Sequence, residues 1–418
     1  MGDSIRRARR GWGPRRIAMS ARAKSQEYGF GQAGAALAVS TVGSLLAGLT
    51  LGRIQGSLEA LPGLLVLVPA AIGMRGNVFG ALASRLGTAI HTGTFTTSRR
   101  PETVVGQNIV ASLSLSLATS LALAVLAKGV AVAFGLMPTI SIIDFAVISV
   151  LAGAASSVVV LAITISLSML VVRRDWDMDN VAAPLVTAAG DVVTLPALAL
   201  ATLAVGHRVI TPVLGVVVIL AAVAAPVLAW RTGYPVVRRI VAESAPVLLV
   251  AGALDTMAGA VFEIRLAGFL ALPALLILIP PFLEGTGALG GILSSRVASK
   301  LHLGSITPRA WPGPAARADM VLIAALMVPT LVGIGAVSHL AAVLTGLSSP
   351  GLWKMVSVAA IAGALTMVAT MVITWYGAIG AFRTGLDPDN HGIPLVSSAM
   401  DLFGAVAIII AIVAVGLA

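Results

Sequence analysis

The sequence contains no cysteine and few charged residues. Of its 418 residues, only 11% are Asp, Glu, Lys or Arg. Without a thiol, the chain can form no disulfide, no thiolate metal site and no cysteine nucleophile. With 58% hydrophobic residues and a mean hydropathy of +1.01, a soluble domain would expose far too much apolar surface. The composition therefore predicts a polytopic membrane protein.

The sequence also lacks the motifs of common enzymes. It contains no nucleotide-binding loop, no Ser-His-Asp set and no zinc-protease motif, so we do not predict an enzyme. The net charge of +10 does not indicate a nucleic-acid partner, because eight lysines and arginines are concentrated in residues 1–30. We interpret this basic tail as a topology signal and a contact for membrane lipids.

Apolar runs of about 20 residues, the length that crosses a bilayer core of roughly 30 Å, recur along the chain. They do not alternate every second residue, so helices rather than barrel strands are predicted. The predicted fold class is an all-α polytopic membrane protein with about eleven transmembrane helices. The predicted spans are 31–52, 60–92, 104–127, 140–172, 180–206, 209–230, 243–264, 267–302, 317–345, 353–382 and 391–418.

An internal repeat divides the chain. The segment 61–93 aligns without gaps with 272–304 at an offset of 211 residues. The stretch DNVAAPLVTAAGDVV at 179–193 matches DNHGIPLVSSAMDLF at 389–403, at an offset of 210. One unit has therefore been duplicated with almost no change in length. The predicted divisions are a basic cytoplasmic tail at 1–30, a first five-helix repeat at 31–206, a connecting helix at 207–239 and a second five-helix repeat at 240–418.

A single connecting helix gives both repeats the same orientation, so we expect parallel copies about an axis along the membrane normal. A central site on that axis would be lined twice, which is compatible with a functional monomer. With the amino terminus inside, 21 lysines and arginines fall at inner ends of the spans and 5 at outer ends. We therefore predict a multi-pass protein of the cell (inner) membrane with a cytoplasmic amino terminus.

Two aspartates fall deep inside predicted helices at equivalent positions of the repeats. A helix that starts at Asp179 or Asp389 carries Asp191 or Asp401 about 18 Å along its axis, near the middle of the bilayer. An ionised aspartate there costs about 2.5 to 3.5 kcal/mol, so it should face a cavity or a partner. Two such carboxylates on one axis would repel each other unless a cation lies between them. We interpret the pair as a cation site.

Further oxygen atoms surround this predicted site. Thr187 and Ser397 lie one helical turn before the aspartates and offer hydroxyl groups. A proline one further turn back would leave unpaired the carbonyls of Asn180 and Asn390, although such prolines also favour helix starts. Hard oxygen ligands of this kind suit Mg²⁺ rather than zinc or copper. On the cytoplasmic side we expect an acidic mouth formed by Asp175, Asp177, Asp179, Asp387 and Asp389.

Proline and glycine interrupt the second span of each repeat. Pro69, Gly73, Gly76 and Asn77, with their equivalents in the second copy, predict irregular backbone that lines a cavity. Close helix packing through small residues is the alternative. We therefore expect the backbone at Gly76, Asn77 and Gly287 to line the pore.

Two intramembrane acids occur in the second repeat only. Glu284 corresponds to Gly73 of the first repeat, and Asp255 corresponds to a residue near Leu51. They form either an auxiliary or coupling-ion site or a buried hydrogen bond, and the sequence leaves both interpretations open.

At these residues the sequence resembles the MgtE-type magnesium transporters and their eukaryotic relatives of solute carrier family 41. The matching segments are LVPAAIGMRGNVFGALASRLGTA at 67–89, AGALD at 251–255, and the segment 184–192 with its copy. The resemblance implies that five helices form one membrane unit and that two units build the pore. It also implies that Asp191 and Asp401 match the family's central pore aspartate, which recognises a largely hydrated Mg²⁺. Ala288 departs from the pattern, since it replaces the equivalent of Asn77.

The sequence thus predicts a transporter of divalent cations, with Mg²⁺ as the transported ion. Its expected partners are divalent cations and membrane lipids, and no nucleic acid. Two alternatives stay open. One is a proton- or sodium-coupled carrier of another substrate, in which the central acids carry protons. The other is a non-transporting membrane scaffold.

Overall fold

The computed structural model describes residues 37–96, 98–174, 178–384 and 392–417, except for the side chains of residues 91, 171–184, 384 and 393. All regular structure in these ranges is helical. The helices are α1 Leu37–Arg53, α2 Gln55–Ala60, α3 Leu64–His91, α4 Val104–Ala133, α5 Ile142–Arg174, α6 Met178–Thr202, α7 Ile210–Arg231, α8 Pro235–Glu263, α9 Leu266–Ala271, α10 Pro273–His302, α11 Pro314–Leu344, α12 Leu352–Thr384 and α13 Ile393–Ala414.

Ten of these helices are long and apolar enough to cross a membrane, and α1 is a shorter apolar helix in the described range. Each of the eleven predicted spans overlaps one of these eleven helices, and for ten of them the helix is long enough to cross a membrane. The fold class, an all-α polytopic membrane protein built from two repeats, is therefore confirmed. The predicted span 267–302 merged two helices, because the six-residue α9 directly precedes α10.

Local sequence explains several helix starts. The side chain of Thr103 accepts a hydrogen bond from the Gly106 amide at 3.1 Å and so caps α4. A proline occupies the first turn of α8, α10 and α11, where the missing amide hydrogen costs nothing.

The prediction that the second spans are interrupted is wrong. The helix α3 runs without a break through Pro69, Gly73 and Gly76, and α10 runs through Pro280 and Pro281. Neighbouring helices enclose both segments, and a packed bundle tolerates prolines that would break an isolated helix. The backbone at Gly76, Asn77 and Gly287 is therefore helical and supplies no irregular stretch to the pore.

The second helices of the two repeats lie at the centre of the bundle. Helix α3 packs against α4, α5 and α6 of its own repeat, and α10 packs against α11, α12 and α13 in the same way. Almost the whole length of α10 is buried. The connecting helix α7 packs on α4 and α5 and keeps most of its surface exposed.

The first helices cross between the repeats. Helix α8 packs against α3 and α4 of the first repeat as well as α13 of its own. Gly48 and Gly52 of α1 lie against Ile277 of α10, in the other repeat. The first helix of each repeat therefore packs against the second helix of the other repeat. This crossing brings acidic residues of both repeats together at the centre of the bundle.

Candidate cation site

The central aspartates are both buried. Asp191 is 0% exposed and Asp401 is 8% exposed. They belong to α6 and α13, the last helices of the two repeats. The carboxyl groups of Asp191, Asp255 and Glu284 are all close enough to Asp401 to interact with it electrostatically. The structure thus brings the predicted pair together with the two additional acids of the second repeat.

Two serines of α1 hold the acids at one side of this cluster. Ser44 Oγ donates a hydrogen bond to Asp191 Oδ2 at 2.5 Å, and Ser40 Oγ donates one to Glu284 Oε1 at 2.7 Å. Because the serines are one helical turn apart, the two carboxylates lie side by side along α1. The second oxygen of Asp191, Oδ1, is buried without a hydrogen-bond partner.

The other side of the cluster contains Asp255 and Asp401. Asp255 is 0% exposed, and neither of its carboxylate oxygens has a hydrogen-bond partner. Its Oδ2 lies 2.7 Å from the position that a Cβ would take at Gly73, and Asp401 Oδ2 lies 3.6 Å from that position. The hydroxyl of Ser398, which is also buried, lies close to Asp255, although no hydrogen bond of normal geometry joins them. The missing side chain at Gly73 therefore makes room for a carboxylate pair.

The helix contacts correct the repeat equivalent of Asp255. Gly48 lies against Ile277 and Gly259 lies against Val66, and an offset of 211 relates both members of these contacts. The same offset relates Asp255 to Ser44, not to a residue near Leu51. Sequence comparison missed this because the side chains of α1 and α8 have diverged, whereas the backbone contact fixes their register.

The predicted hydroxyl ligands pack against the predicted pore glycines. A Cβ at Gly76 would lie 3.2 Å from Thr187 Cγ2, and a Cβ at Gly287 would lie 2.8 Å from Ser397 Oγ. The same close approach therefore joins α3 to α6 and α10 to α13. Helix packing through small residues therefore accounts for these contacts, and pore lining by the glycines stays a prediction.

Most of the predicted acidic mouth lies outside the described residues. The residues that are not described are Asp175, Asp177, Asp387 and Asp389, together with Asn390, whose carbonyl is a predicted ligand. Asp179 and Asn180 belong to the first turn of α6, which begins at Met178, and their side chains are not among those described. Pro394 stands in the first turn of α13, the favoured place for a proline. The role of the mouth stays a prediction.

Asn77 lines a cleft between α3, α4, α8 and the start of α13. Arg85, Ser244 and Pro394 also line this cleft. The side-chain nitrogen of Asn77 is buried without a hydrogen-bond partner. Since Pro394 directly follows the predicted mouth in sequence, the cleft lies on the side where we expect cations to enter.

Arg75 is a functional candidate that sequence reasoning missed. It is 1% exposed within α3, and its guanidinium donates to Ser116, to Ser157 at 2.5 Å and to Ser120 at 2.8 Å. It also donates to the Gly153 carbonyl at 3.0 Å. Among the described residues it forms no ion pair. The available signal was a basic residue in the middle of an apolar span.

Helices α3 and α10 each contain an arginine near the carboxyl-terminal end that bonds to the following helix. Arg85 Nε donates to Asn108 Oδ1 at 2.7 Å. At the equivalent positions, Arg296 donates to Asp319 Oδ1 at 3.0 and 2.9 Å, and Lys300 adds a bond of 2.5 Å to Oδ2. The repeats thus keep one contact, but only the second repeat makes it an ion pair.

Comparison with known proteins agrees with this architecture. The sequence pattern of the family described as MgtE, divalent cation transporter, matches residues 68–201 and 279–411. The chain belongs to the MgtE family. The two matches cover α3 to α6 and α10 to α13, the same four helices of each repeat. This MgtE-family protein is therefore a multi-pass membrane transporter for divalent cations, and not an enzyme.

Curated relatives extend the similarity to most of the chain. Solute carrier family 41 member 3 of Rattus norvegicus is 25% identical over 394 residues, which cover 88% of this chain and 83% of the relative. Solute carrier family 41 member 2 of Xenopus laevis is 25% identical over 395 residues, which cover 87% of this chain and 67% of the relative. Solute carrier family 41 member 3 of Mus musculus is 26% identical over 398 residues, which cover 87% of this chain and 78% of the relative. A crystal structure of the eukaryotic MATE transporter AtDTX14 aligns with 92% of this chain and 96% of its own, but at a TM-score of 0.29 and 13% identity no shared fold follows.

Proposed function

We propose that the protein carries Mg²⁺ across the membrane along a pathway between the two repeats, lined by Asp191 and Asp401. The observation that carries this proposal is the meeting of four carboxylates inside the helix bundle, with Asp191 and Glu284 on serines one turn apart in α1 and with Asp255 and Asp401 beside Gly73. Among the described residues, no lysine or arginine forms an ion pair with any of them. A cation is therefore the natural counter-charge.

The electrostatic argument is simple. Each buried carboxylate is costly in a membrane unless it has a partner, and like charges at short range add to that cost. Arg75, a buried basic residue two positions after Gly73, does not offset these charges, because it donates its hydrogen bonds to serines and to a backbone carbonyl. A divalent cation between the repeats would relieve both costs.

The spacing of the acids supports a hydrated ion. In the described part of the chain, no three His, Cys, Asp or Glu side chains come close enough together to hold a metal ion directly. Mg²⁺ dehydrates reluctantly and usually binds one or two carboxylates while it keeps several waters. The hydroxyls of Thr187 and Ser397 and the serines of α1 can hydrogen-bond to such waters. This favours Mg²⁺ over ions that prefer nitrogen or sulfur ligands.

The remaining elements of the proposal concern access and orientation. The acidic mouth at 175–179 and 387–389, with the carbonyls of Asn180 and Asn390, would collect cations on the cytoplasmic side. The cleft at Asn77 would connect it with the carboxylates. We place the amino terminus in the cytoplasm and the protein in the cell membrane, since basic residues concentrate on that side. Two fused repeats would let a single chain form the pathway.

Uptake of Mg²⁺ into liposomes that contain the purified protein tests the proposal. The double variants Asp191→Ala/Asp401→Ala and Asp191→Asn/Asp401→Asn should lose uptake while they stay in the membrane, because the central charges are gone. The matched control is Asp144→Asn, which removes a carboxylate that bonds to Ser141 at the start of α5, outside the cluster. Its uptake should equal that of the unchanged protein.

The alternatives predict different results. Unchanged Mg²⁺ uptake in both double variants would contradict the assignment of the site. Flux of another substrate that depends on a proton or sodium gradient, without Mg²⁺ binding, would support the coupled carrier. A scaffold would show no cation flux under gradients of either direction and would tolerate the aspartate substitutions.

A further inference from the structure

Each side of the carboxylate cluster contains one central aspartate and one additional acid. On one side, Glu284 of α10 lies beside Asp191, since adjacent serines of α1 bond to both. On the other side, Asp255 of α8 lies beside Asp401. The two sides thus have the same number of carboxylates, although the additional acid comes from a different helix in each.

The positions of these acids are exchanged between the repeats. Glu284 is equivalent to Gly73, and Asp255 is equivalent to Ser44, both at an offset of 211. One side combines a serine on the first helix with a glutamate on the second helix. The other combines an aspartate on the first helix with a glycine on the second helix. Either combination delivers one carboxylate next to a central aspartate.

Steric competition favours one additional acid on each side. A Cβ at Gly73 would lie 2.7 Å from Asp255 Oδ2, a distance that real Cβ contacts do not show. An acidic side chain at position 73 and Asp255 therefore compete for the same space, and the Asp255 carboxylate would have to shift to admit it. On the other side, Ser44 is shorter than an aspartate and leaves space for Glu284 while its hydroxyl bonds to Asp191.

Unpaired buried atoms point from this cluster to a ligand. Both carboxylate oxygens of Asp255, Oδ1 of Asp191 and the hydroxyl of Ser398 lack hydrogen-bond partners, and these three residues are at most 1% exposed. A buried polar group without a partner costs free energy, and a carboxylate costs the most. A purely structural role for Asp255 would supply donors aligned with its oxygens. The Ser398 hydroxyl and the Asp401 carboxyl lie nearby, but among the described residues no hydrogen bond of normal geometry reaches either oxygen.

We propose that Asp255 and Glu284 are equivalent cation ligands, one for each central aspartate, so that the pathway holds two carboxylate pairs, Asp191 with Glu284 and Asp401 with Asp255. The inference rests on the proposed function, because the ligand is the transported divalent cation. Four carboxylates carry the charge that two divalent cations balance, so each pair forms one binding position. Both additional acids belong to the second repeat, which has diverged to supply them.

The exchange itself provides the test. Asp255→Ser removes one additional acid and should weaken Mg²⁺ binding and lower uptake at subsaturating Mg²⁺ by about ten-fold or more, since the loss of a ligand should cost at least as much as the loss of a group that orients one. Gly73→Glu/Asp255→Ser rebuilds on this side the combination of serine and glutamate found at Ser44 and Glu284. It should restore most of the Mg²⁺ binding and most of the uptake. Gly73→Glu alone should be less stable than this double variant, because the Asp255 carboxylate lies in the space that the new side chain needs.

A mirror pair of variants examines the other side. Glu284→Gly should show the same loss as Asp255→Ser, and Ser44→Asp/Glu284→Gly should restore binding and uptake. Asp144→Ser, which removes a carboxylate outside the cluster, serves as the control and should change neither. Mg²⁺ binding is measured as the Mg²⁺-dependent rise in melting temperature of the purified protein in detergent, so it does not depend on transport.

The outcomes separate this inference from the proposed function. If both single variants lose Mg²⁺ binding and the folded exchange variants do not regain it, Asp255 and Glu284 are not equivalent ligands. The proposed function would still stand, because the unchanged protein would take up Mg²⁺. Unchanged Mg²⁺ binding in Asp255→Ser and Glu284→Gly would overturn the inference altogether. If neither exchange variant folds, these single variants decide by the same binding measurement. Persistent uptake after loss of both central aspartates would instead remove the proposed function.

Discussion

Gly48 of α1 and Gly259 of α8 each lie against a main-chain carbonyl of the other repeat. A Cβ at Gly48 would be 2.3 Å from the Ile277 oxygen, and a Cβ at Gly259 would be 2.4 Å from the Val66 oxygen. Since both glycines and both carbonyls are repeat equivalents, one helix crossing is made twice. The crossing holds the first helix of each repeat against the second helix of the other, beside the carboxylate cluster.

We expect alanine at either crossing glycine to destabilise the protein. Gly48→Ala or Gly259→Ala forces the helices apart, which should cost about 1 to 3 kcal/mol, the usual cost of overpacking. Thermal unfolding in detergent without Mg²⁺ measures this. The control is Gly333→Ala in α11, where an added Cβ meets nothing within 4 Å. It should be neutral or stabilising by up to about 1 kcal/mol, and equal behaviour of all three variants would contradict the crossing.

The second prediction concerns the buried guanidinium of Arg75. Arg75→Met removes four hydrogen bonds at about 0.6 kcal/mol each in a membrane protein, so we expect a loss of about 2 kcal/mol. Arg208→Met, at an exposed position outside the membrane-spanning helices, is the control and should leave the melting temperature unchanged. A melting temperature of Arg75→Met equal to that of the unchanged protein would show that the bonds contribute no net stability.

The second repeat offers an apolar replacement for this polar core. At the equivalent positions it carries a threonine and three apolar side chains, namely Thr286, Met327, Leu331 and Met367. The combined variant Arg75→Thr/Ser116→Met/Ser120→Leu/Ser157→Met should therefore recover stability that Arg75→Met loses. Since the guanidinium donates its hydrogen bonds to α4 and α5 and to no carboxylate, Mg²⁺ uptake by the folded combined variant should persist. Loss of uptake in a stable variant would instead assign Arg75 an electrostatic role in transport.

The third prediction concerns the ion pair of the second repeat. Asp319 is 3% exposed and accepts bonds from Arg296 and Lys300. Asp319→Asn removes the charge that both cations face, and the expected loss is about 1 to 3 kcal/mol. The first repeat makes the same contact without an ion pair, because it has Asn108 in place of the aspartate and Ala89 in place of Lys300. Asp319→Asn/Lys300→Ala should accordingly be more stable in thermal unfolding than Asp319→Asn, and the opposite order would refute this account.

Hydropathy and self-similarity allowed the spans and the duplication to be predicted from sequence. The apolar runs report length and polarity, and the duplication explains why Asp191 and Asp401 occupy equivalent positions in α6 and α13. The break predicted at Pro69 was wrong because local propensity ignores the helices that enclose α3. Only three-dimensional packing decides whether a proline interrupts a membrane helix.

The arrangement of the acids could not be predicted in the same way. Sequence comparison showed that Asp255 and Glu284 lack acidic equivalents, but it did not show that they complete opposite sides of one cluster. That relationship depends on the helix crossing, which joins residues about 200 positions apart through contacts of glycine with backbone. The hydrogen bonds of Arg75 were missed because serines in apolar spans resemble ordinary small residues.

The fourth prediction concerns the serine that orients a central aspartate. Ser44 donates to Asp191 Oδ2, and Ser44→Ala would leave both oxygens of this carboxylate without a donor. If Asp191 binds the transported ion, its orientation should loosen, and Mg²⁺ affinity should fall by about ten-fold, the lower end of losses seen for groups that orient metal ligands. Ser114→Ala is the matched control, because the Ser114 hydroxyl is buried without a partner and its removal should cost nothing. The concentration dependence of Mg²⁺ uptake into liposomes distinguishes the two: the half-saturating concentration should rise for Ser44→Ala alone. Equal half-saturating concentrations would mean that the hydrogen bond from Ser44 does not set the position of Asp191 for cation binding.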